Sequence, residues 1–146
     1  MQATLIRSKK SASSSRWLQR AKADPFARSS SDNGDIHVSR AAYKLLELDN
    51  KYRLIANAKR IIELGAAPGG WCQVISSRKP SHGRFIAVDL LDLDETIQAL
   101  EGISFIQGDF LDSTVQEQIK VALAGDQADL IVSDMVSPHK KCYSCD

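Results

Sequence analysis

From Ser39 onward, apolar side chains recur at Ala41, Ala42, Leu45, Leu48 and Tyr52, mostly at three- and four-residue steps that lay one stripe along a helix. Ser39 is the expected N-cap, and Arg40 and Lys44 fall four apart on the same helix, off the stripe. From Lys59 the period changes. Short apolar runs at Ile61-Ile62-Glu63-Leu64, Phe85-Ile86-Ala87-Val88-Asp89, Ile103-Ser104-Phe105-Ile106 and Leu130-Ile131-Val132-Ser133-Asp134 alternate with helical stretches over residues 71–78, 94–101 and 113–124. Pro80, Gly102 and Gly125 close those stretches. Strands that are apolar on both faces, alternating with helices, predict an α/β fold: a parallel sheet with helices packed on both faces and right-handed crossovers. Ahead of it, Ser29-Ser30-Ser31-Asp32-Asn33-Gly34-Asp35 reads as a loop.

In open parallel sheets ligands sit beyond the carboxyl ends of the strands, so the informative residues follow each run, and here they are Gly or Asp. Gly65-Ala66-Ala67-Pro68-Gly69-Gly70-Trp71 follows the first strand and leads straight into a helix, so the chain can approach a ligand closely there and point free N–H groups at it. Asp89 ends the second strand, where nucleotide-binding α/β folds set a carboxylate on ribose hydroxyls. Gly108-Asp109-Phe110 follows the third and Ser133-Asp134-Met135 the fourth. Singly, each aspartate is equally well a cap or a turn residue. Together they predict a nucleoside-like ligand. Because Ala66 and Ala67 follow Gly65 and Pro68 lacks an N–H, the loop departs from the G-x-G-x-x-G spacing of dinucleotide sites. That favours an adenosine without phosphate and disfavours a nicotinamide-dependent oxidoreductase.

Composition changes this picture mainly through charge. The 146 residues hold 19 Lys/Arg against 18 Asp/Glu, yet residues 1–60 carry 13 of the basic and 5 of the acidic ones. Before Asp24 lie Arg7, Lys9, Lys10, Arg16, Arg20 and Lys22 with no acid, interrupted by serines and Trp17. Such a segment can track phosphates, and its composition equally suits a solvated tail or a mitochondrial transit peptide. No run approaches the roughly twenty apolar residues of a membrane helix. Cys72, Cys142 and Cys145 are too few to staple a secreted fold, so a reducing cytoplasmic setting is expected. His139, Cys142 and Cys145 have soft-ligand spacing that Cys72 or His82 would complete for zinc, but a frayed terminus rarely preorganises a site, and no metal is expected.

The loop Gly65 to Trp71, the helix Ser39-Arg40-Ala41-Ala42-Tyr43-Lys44-Leu45, Gly108-Asp109-Phe110 and Ser133-Asp134-Met135 together resemble the FtsJ-type ribose 2′-O-methyltransferases. Ser13-Ser14-Ser15-Arg16-Trp17-Leu18 and Asp24-Pro25-Phe26 are similar to the branch that methylates a uridine of large-subunit ribosomal RNA. The resemblance implies a Rossmann-like methyltransferase sheet of which the first four strands are present. It implies S-adenosylmethionine bound by Gly69 and Trp71, with Asp89 on the adenosine, Asp109 near the adenine and Asp134 near the methionine end. Of the family's Lys-Asp-Lys-Glu catalytic set, Lys44 matches the first member and Asp134 the second. The implied partner is large-subunit ribosomal RNA or a ribosomal particle, with no membrane and no obligatory protein partner.

On this reading residues 1–38 form a basic arm and loop that contacts RNA, and residues 39–135 form the N-terminal part of the methyltransferase domain. Residues 136–146 form a tail that departs from the family. The arm then belongs to RNA binding and not to a transit peptide, which favours a bacterial-type cytoplasmic protein, with a mitochondrial homologue as the alternative. Lys140 and Lys141 follow the fourth strand too closely to replace the second lysine. The short chain is therefore expected to be inactive alone, and the alternative function is a truncated RNA- or cofactor-binding module without catalysis. The fourth strand is interior in the family's sheet, so an apolar edge is expected there.

Overall fold

The computed structural model describes residues 38–135. In chain order the elements are α1 (Ala41–Tyr52), β1 (Arg60–Leu64), α2 (Gly70–Arg78), β2 (Arg84–Asp89), α3 (Glu95–Gln98), β3 (Ser104–Gln107), α4 (Ser113–Ala122) and β4 (Leu130–Ser133). The strands form one sheet in the order β3-β2-β1-β4, and every pairing is parallel. This is the α/β alternation that the hydrophobic pattern predicts.

Register assigns the faces. Ile61, Phe85 and Leu130 lie in one row across β1, β2 and β4, and Glu63, Ala87 and Val132 lie in a second row two residues on, hence on the same face. That face packs against α1 and α2 through Leu45, Trp71, Cys72, Val74 and Ile75. The opposite face, with Ile62, Ile86 and Val88, packs against Val115 and Leu123 at the two ends of α4. Each fully buried Ile, Val or Phe contributes about 1.5–3 kcal/mol by leaving water, so both layers are needed to hold the sheet. Among the described residues β4 is an outer strand. Its Ile131 is 61% exposed, although its register partner Ile62 is buried.

The helix ends show where local chemistry departs from the pattern. Arg40, not Ser39, is the N-cap of α1, without a side-chain cap bond; Ser39 instead receives the Ala42 N–H on its carbonyl oxygen (3.1 Å). The expected helix over residues 94–101 shortens to Glu95–Gln98. Asp94 is its N-cap, accepting the Thr96 N–H (3.0 Å) and hydroxyl (2.7 Å), and the chain passes into turn before Gly102. Helix α4 stops at Ala122 because Ala124 already adopts positive φ ahead of Gly125.

Helix α1 ends with Arg53 in the left-handed region, and the buried Asp49 side chain secures that end. Its Oδ1 accepts the Ile55 N–H (2.9 Å), while Arg78 of α2 donates to its Oδ2 (2.8 Å). Burial alone would push this carboxyl up. The Ile55 N–H, the Arg78 hydrogen bond and charge and the Leu54 N–H outweigh burial and hold it below its ordinary value.

Candidate functional site

Because all the strands run parallel, the segments that follow β1, β2, β3 and β4 meet at one edge of the sheet. The loop after β1 is strapped to β2. The Gly65 and Ala66 N–H groups donate to Val88 O (2.9 and 3.2 Å), the Ala67 N–H donates to Asp89 Oδ2 (2.9 Å), and Pro68 O receives the Asp94 N–H (2.9 Å). Asp89 Oδ1 accepts the Leu91 N–H (2.8 Å). Asp89 thus ties the glycine loop to its own strand end, and each oxygen keeps a further lone pair for a ligand hydroxyl. Burial raises its carboxyl pKa, against the pull of the Leu91, Ala67 and Leu90 N–H groups.

Gly69 has φ +117°, and a Cβ there would stand 2.7–2.8 Å from the Ile97 methyl and methylene carbons, so the loop both bends and packs where a side chain has no room. Met135, just beyond β4, lies over Gly65, and Ser39 lies over Gly70, each too close for a Cβ. Helix α2 begins at once. Its first intrahelical bond runs from Gln73 N–H to Gly69 O (3.0 Å), so the N–H groups of Gly70, Trp71 and Cys72 precede the helical ladder. The Trp71 indole N–H donates to Ala41 O (2.7 Å), which leaves its main chain for contact with a ligand.

The Asp89 carbonyl receives the Gly108 N–H (2.9 Å), which sets the turn after β3 beside β2. Asp109 is exposed there, with Oδ1 accepting the Leu111 N–H (2.9 Å) and Oδ2 available. At the end of β4, Asp134 meets Lys44 from α1: the ammonium lies 3.1 Å from both carboxylate oxygens, across 90 residues of chain. The structure therefore brings together the two residues matched to the catalytic set, and collects Gly69, Trp71, Asp89 and Asp109 along the same edge.

Glu63, an acid inside the apolar run Ile61-Ile62-Glu63-Leu64, is a further buried carboxyl that the strand pattern does not single out. It is 2% exposed and accepts a hydrogen bond from the Cys72 thiol (3.1 Å). Burial pushes its carboxyl up to about 8, the Cys72 bond opposes this and the charge of Asp89 adds to it. The Cys72 thiol is pushed up strongly by burial and by Glu63, so it is not a ready thiolate. His82 is exposed, and His139, Cys142 and Cys145 lie outside the described residues. Among the described residues no three His, Cys, Asp or Glu side chains gather as metal ligands.

An open parallel sheet with a glycine loop after its first strand and a carboxylate at or just past each of the next three strand ends defines an α/β protein of Rossmann-like class. The FtsJ-like methyltransferase model matches residues 37–143, extending past Met135 into the segment expected to be a tail outside the family. The chain belongs to the FtsJ-like methyltransferase family. It is 45% identical over 126 residues to the ribosomal RNA large subunit methyltransferase E of Cellvibrio japonicus, and 46% identical over 125 residues to that of Chromohalobacter salexigens. Each match takes in 86% of this chain and 57% of the relative, so the chain spans little more than half the length of these relatives. A Plasmodium falciparum structure described as a ribosomal RNA methyltransferase superposes with a TM-score of 0.57 at 36% identity, covering 68% of this chain and 57% of its own.

Proposed function

We propose that the protein takes part in S-adenosylmethionine-dependent methyl transfer to the ribose 2′-OH of a uridine in large-subunit ribosomal RNA. The observation that carries this reading is the bidentate Lys44–Asp134 pair at the strand edge that also bears the glycine loop. The donor set suits the cofactor: three carboxylates and a loop without the dinucleotide spacing favour a cationic, unphosphorylated adenosine over a pyrophosphate. Gly69 and the Trp71 main chain would border it, Asp89 would take its ribose hydroxyls, Asp109 would lie near the adenine and Asp134 near the methionine end. When bound, the cofactor supplies a methyl group on a sulfonium, an electrophile that an oxygen can displace in line.

The chain's own contribution is alignment and charge. A ribose hydroxyl is a poor nucleophile at neutral pH and must be held close and on line while its proton passes to solvent water, since an ammonium such as that of Lys44 has no lone pair to accept it. Asp134 orients the Lys44 ammonium with both carboxylate oxygens, and the ammonium offers its N–H donors to the incoming oxygen. Residues 1–38 would track RNA phosphates with their basic side chains, and the proposed setting is the cytoplasm.

The test uses methyl-labelled S-adenosylmethionine and large ribosomal particles. Any label transferred is expected to resist alkali as a 2′-O-methyl dinucleotide and to fall at least about 100-fold in Asp134→Ala, the scale of losing a positioned transition-state contact. Label on a base or on protein would contradict the reading. RNA binding that weakens from 50 to 200 mM salt, without label, supports the second reading, a binding module.

A further inference from the structure

Three contacts join the first turn of α2 to the start of α1. The Val38 N–H donates to Gln73 Oε1 (3.2 Å), Ser39 lies over Gly70 with no space for a Cβ between them, and the Trp71 indole N–H donates to Ala41 O (2.7 Å). At the other end Arg78 reaches Asp49 Oδ2 and Asn50 Oδ1, both at 2.8 Å. Helix α1 is thus fastened to α2 at both ends, and Lys44 leaves α1 about one turn beyond Ala41 to meet Asp134.

We propose that the Trp71 indole is a positioning residue for Lys44: its N–H fixes the first turn of α1 on α2 and so sets where the Lys44 ammonium meets Asp134. The proposal rests on the reading of Lys44 and Asp134 as the pair that holds the incoming ribose oxygen. At 2.7 Å the indole bond lies at the short end of the N–H···O range, and the residue is 9% exposed, so water competes poorly for the Ala41 carbonyl. The Lys44–Asp134 pair is much more exposed, at 65% and 39% of the side chains, and cannot hold α1 in place by itself. A ring that merely filled space would be indifferent to where its nitrogen points. Here the nitrogen points at the helix that carries Lys44, from a residue that adjoins the glycine loop, so one side chain links the loop to the helix that bears the lysine.

Two replacements separate the N–H from the bulk. Trp71→Phe removes the donor and part of the ring, whereas benzothienylalanine installed at position 71 keeps the bicyclic shape with sulfur in place of N–H. In chains whose lysines carry 13C-methyl groups, the Lys44 resonance, identified by its absence in Lys44→Arg, reports the ion pair through the shift change caused by Asp134→Asn. That change is expected to fall below half its native size in both Trp71 replacements, with the benzothienylalanine chain melting within a few degrees of native. An undiminished change in the benzothienylalanine chain overturns the proposal, whatever the phenylalanine variant does, because ring bulk would then suffice. No response to Asp134→Asn in the native chain overturns it as well. The readout needs no turnover, so failure of methyl transfer counts against the proposed function and leaves this test standing.

Discussion

Glu63→Gln is expected to remove most of the loss of stability between pH 5 and 8 and to leave the variant more stable than the native chain at pH 8. In the folded chain the Glu63 carboxyl keeps its proton up to about pH 8, because ionising it would place a charge in a site 2% exposed. The unfolded chain releases that proton near the ordinary value of 4.5. Between these two values the folded state binds more protons, so stability is fully present below 4.5 and declines as pH rises towards 8. The decline amounts to roughly 4 kcal/mol, an order-of-magnitude figure from the width of the window. Glutamine keeps an acceptor for the Cys72 thiol without an ionisable group. Asp89, also raised, acts in the same direction, whereas the stability Asp49 contributes is lost as pH falls through its lowered value. Urea unfolding at pH 5, 6.5 and 8 isolates Glu63 as the difference between variant and native chain. Parallel pH profiles would show that Glu63 is ionised throughout.

Gly69→Ala is the second large effect expected, at roughly 3 kcal/mol of destabilisation, from the positive-φ penalty of an L-residue together with overpacking. At φ +117° the new methyl carbon points at Ile97, which is itself 2% exposed and has little room to retreat. The loop must shift, and with it the Ala67 N–H that Asp89 holds at 2.9 Å. Cofactor affinity is therefore expected to drop at least tenfold, measured at a temperature where both chains remain folded. Gly125→Ala is the control for the backbone term alone, since φ there is also positive at +80° but nothing lies within 4 Å of the place its methyl carbon would take. A Gly69→Ala chain no less stable than Gly125→Ala would show that Ile97 yields freely.

Much of this is legible in the sequence because period and punctuation coincide. The apolar runs with Asp89, Asp109 and Asp134 at or just past their ends announce strands whose carboxyl ends share one edge, and Gly65 to Gly70 announce a close-approach loop. Long-range geometry is not legible. That Lys44 meets Asp134, or that the Trp71 indole turns to Ala41 and leaves only its main chain towards the loop, depends on how α1 lies on α2, and no local pattern encodes that. Ser39 reads as a cap because a serine ahead of an apolar stripe usually caps; here its side chain packs against Gly70 and the cap moves to Arg40. Glu63 escapes notice because a run of apolar neighbours marks a strand without revealing what a buried acid within it does. The expected basic arm over residues 1–38 and the tail over 136–146 fall almost entirely outside the described residues.

The most direct test of cofactor choice at this edge is isothermal calorimetry of the purified chain with S-adenosylmethionine and, separately, with NAD. Saturable one-to-one binding of S-adenosylmethionine, weakened by Gly69→Ala, is predicted, with no measurable binding of NAD. Binding of NAD without binding of S-adenosylmethionine would contradict the assignment of the loop and its three carboxylates to that cofactor.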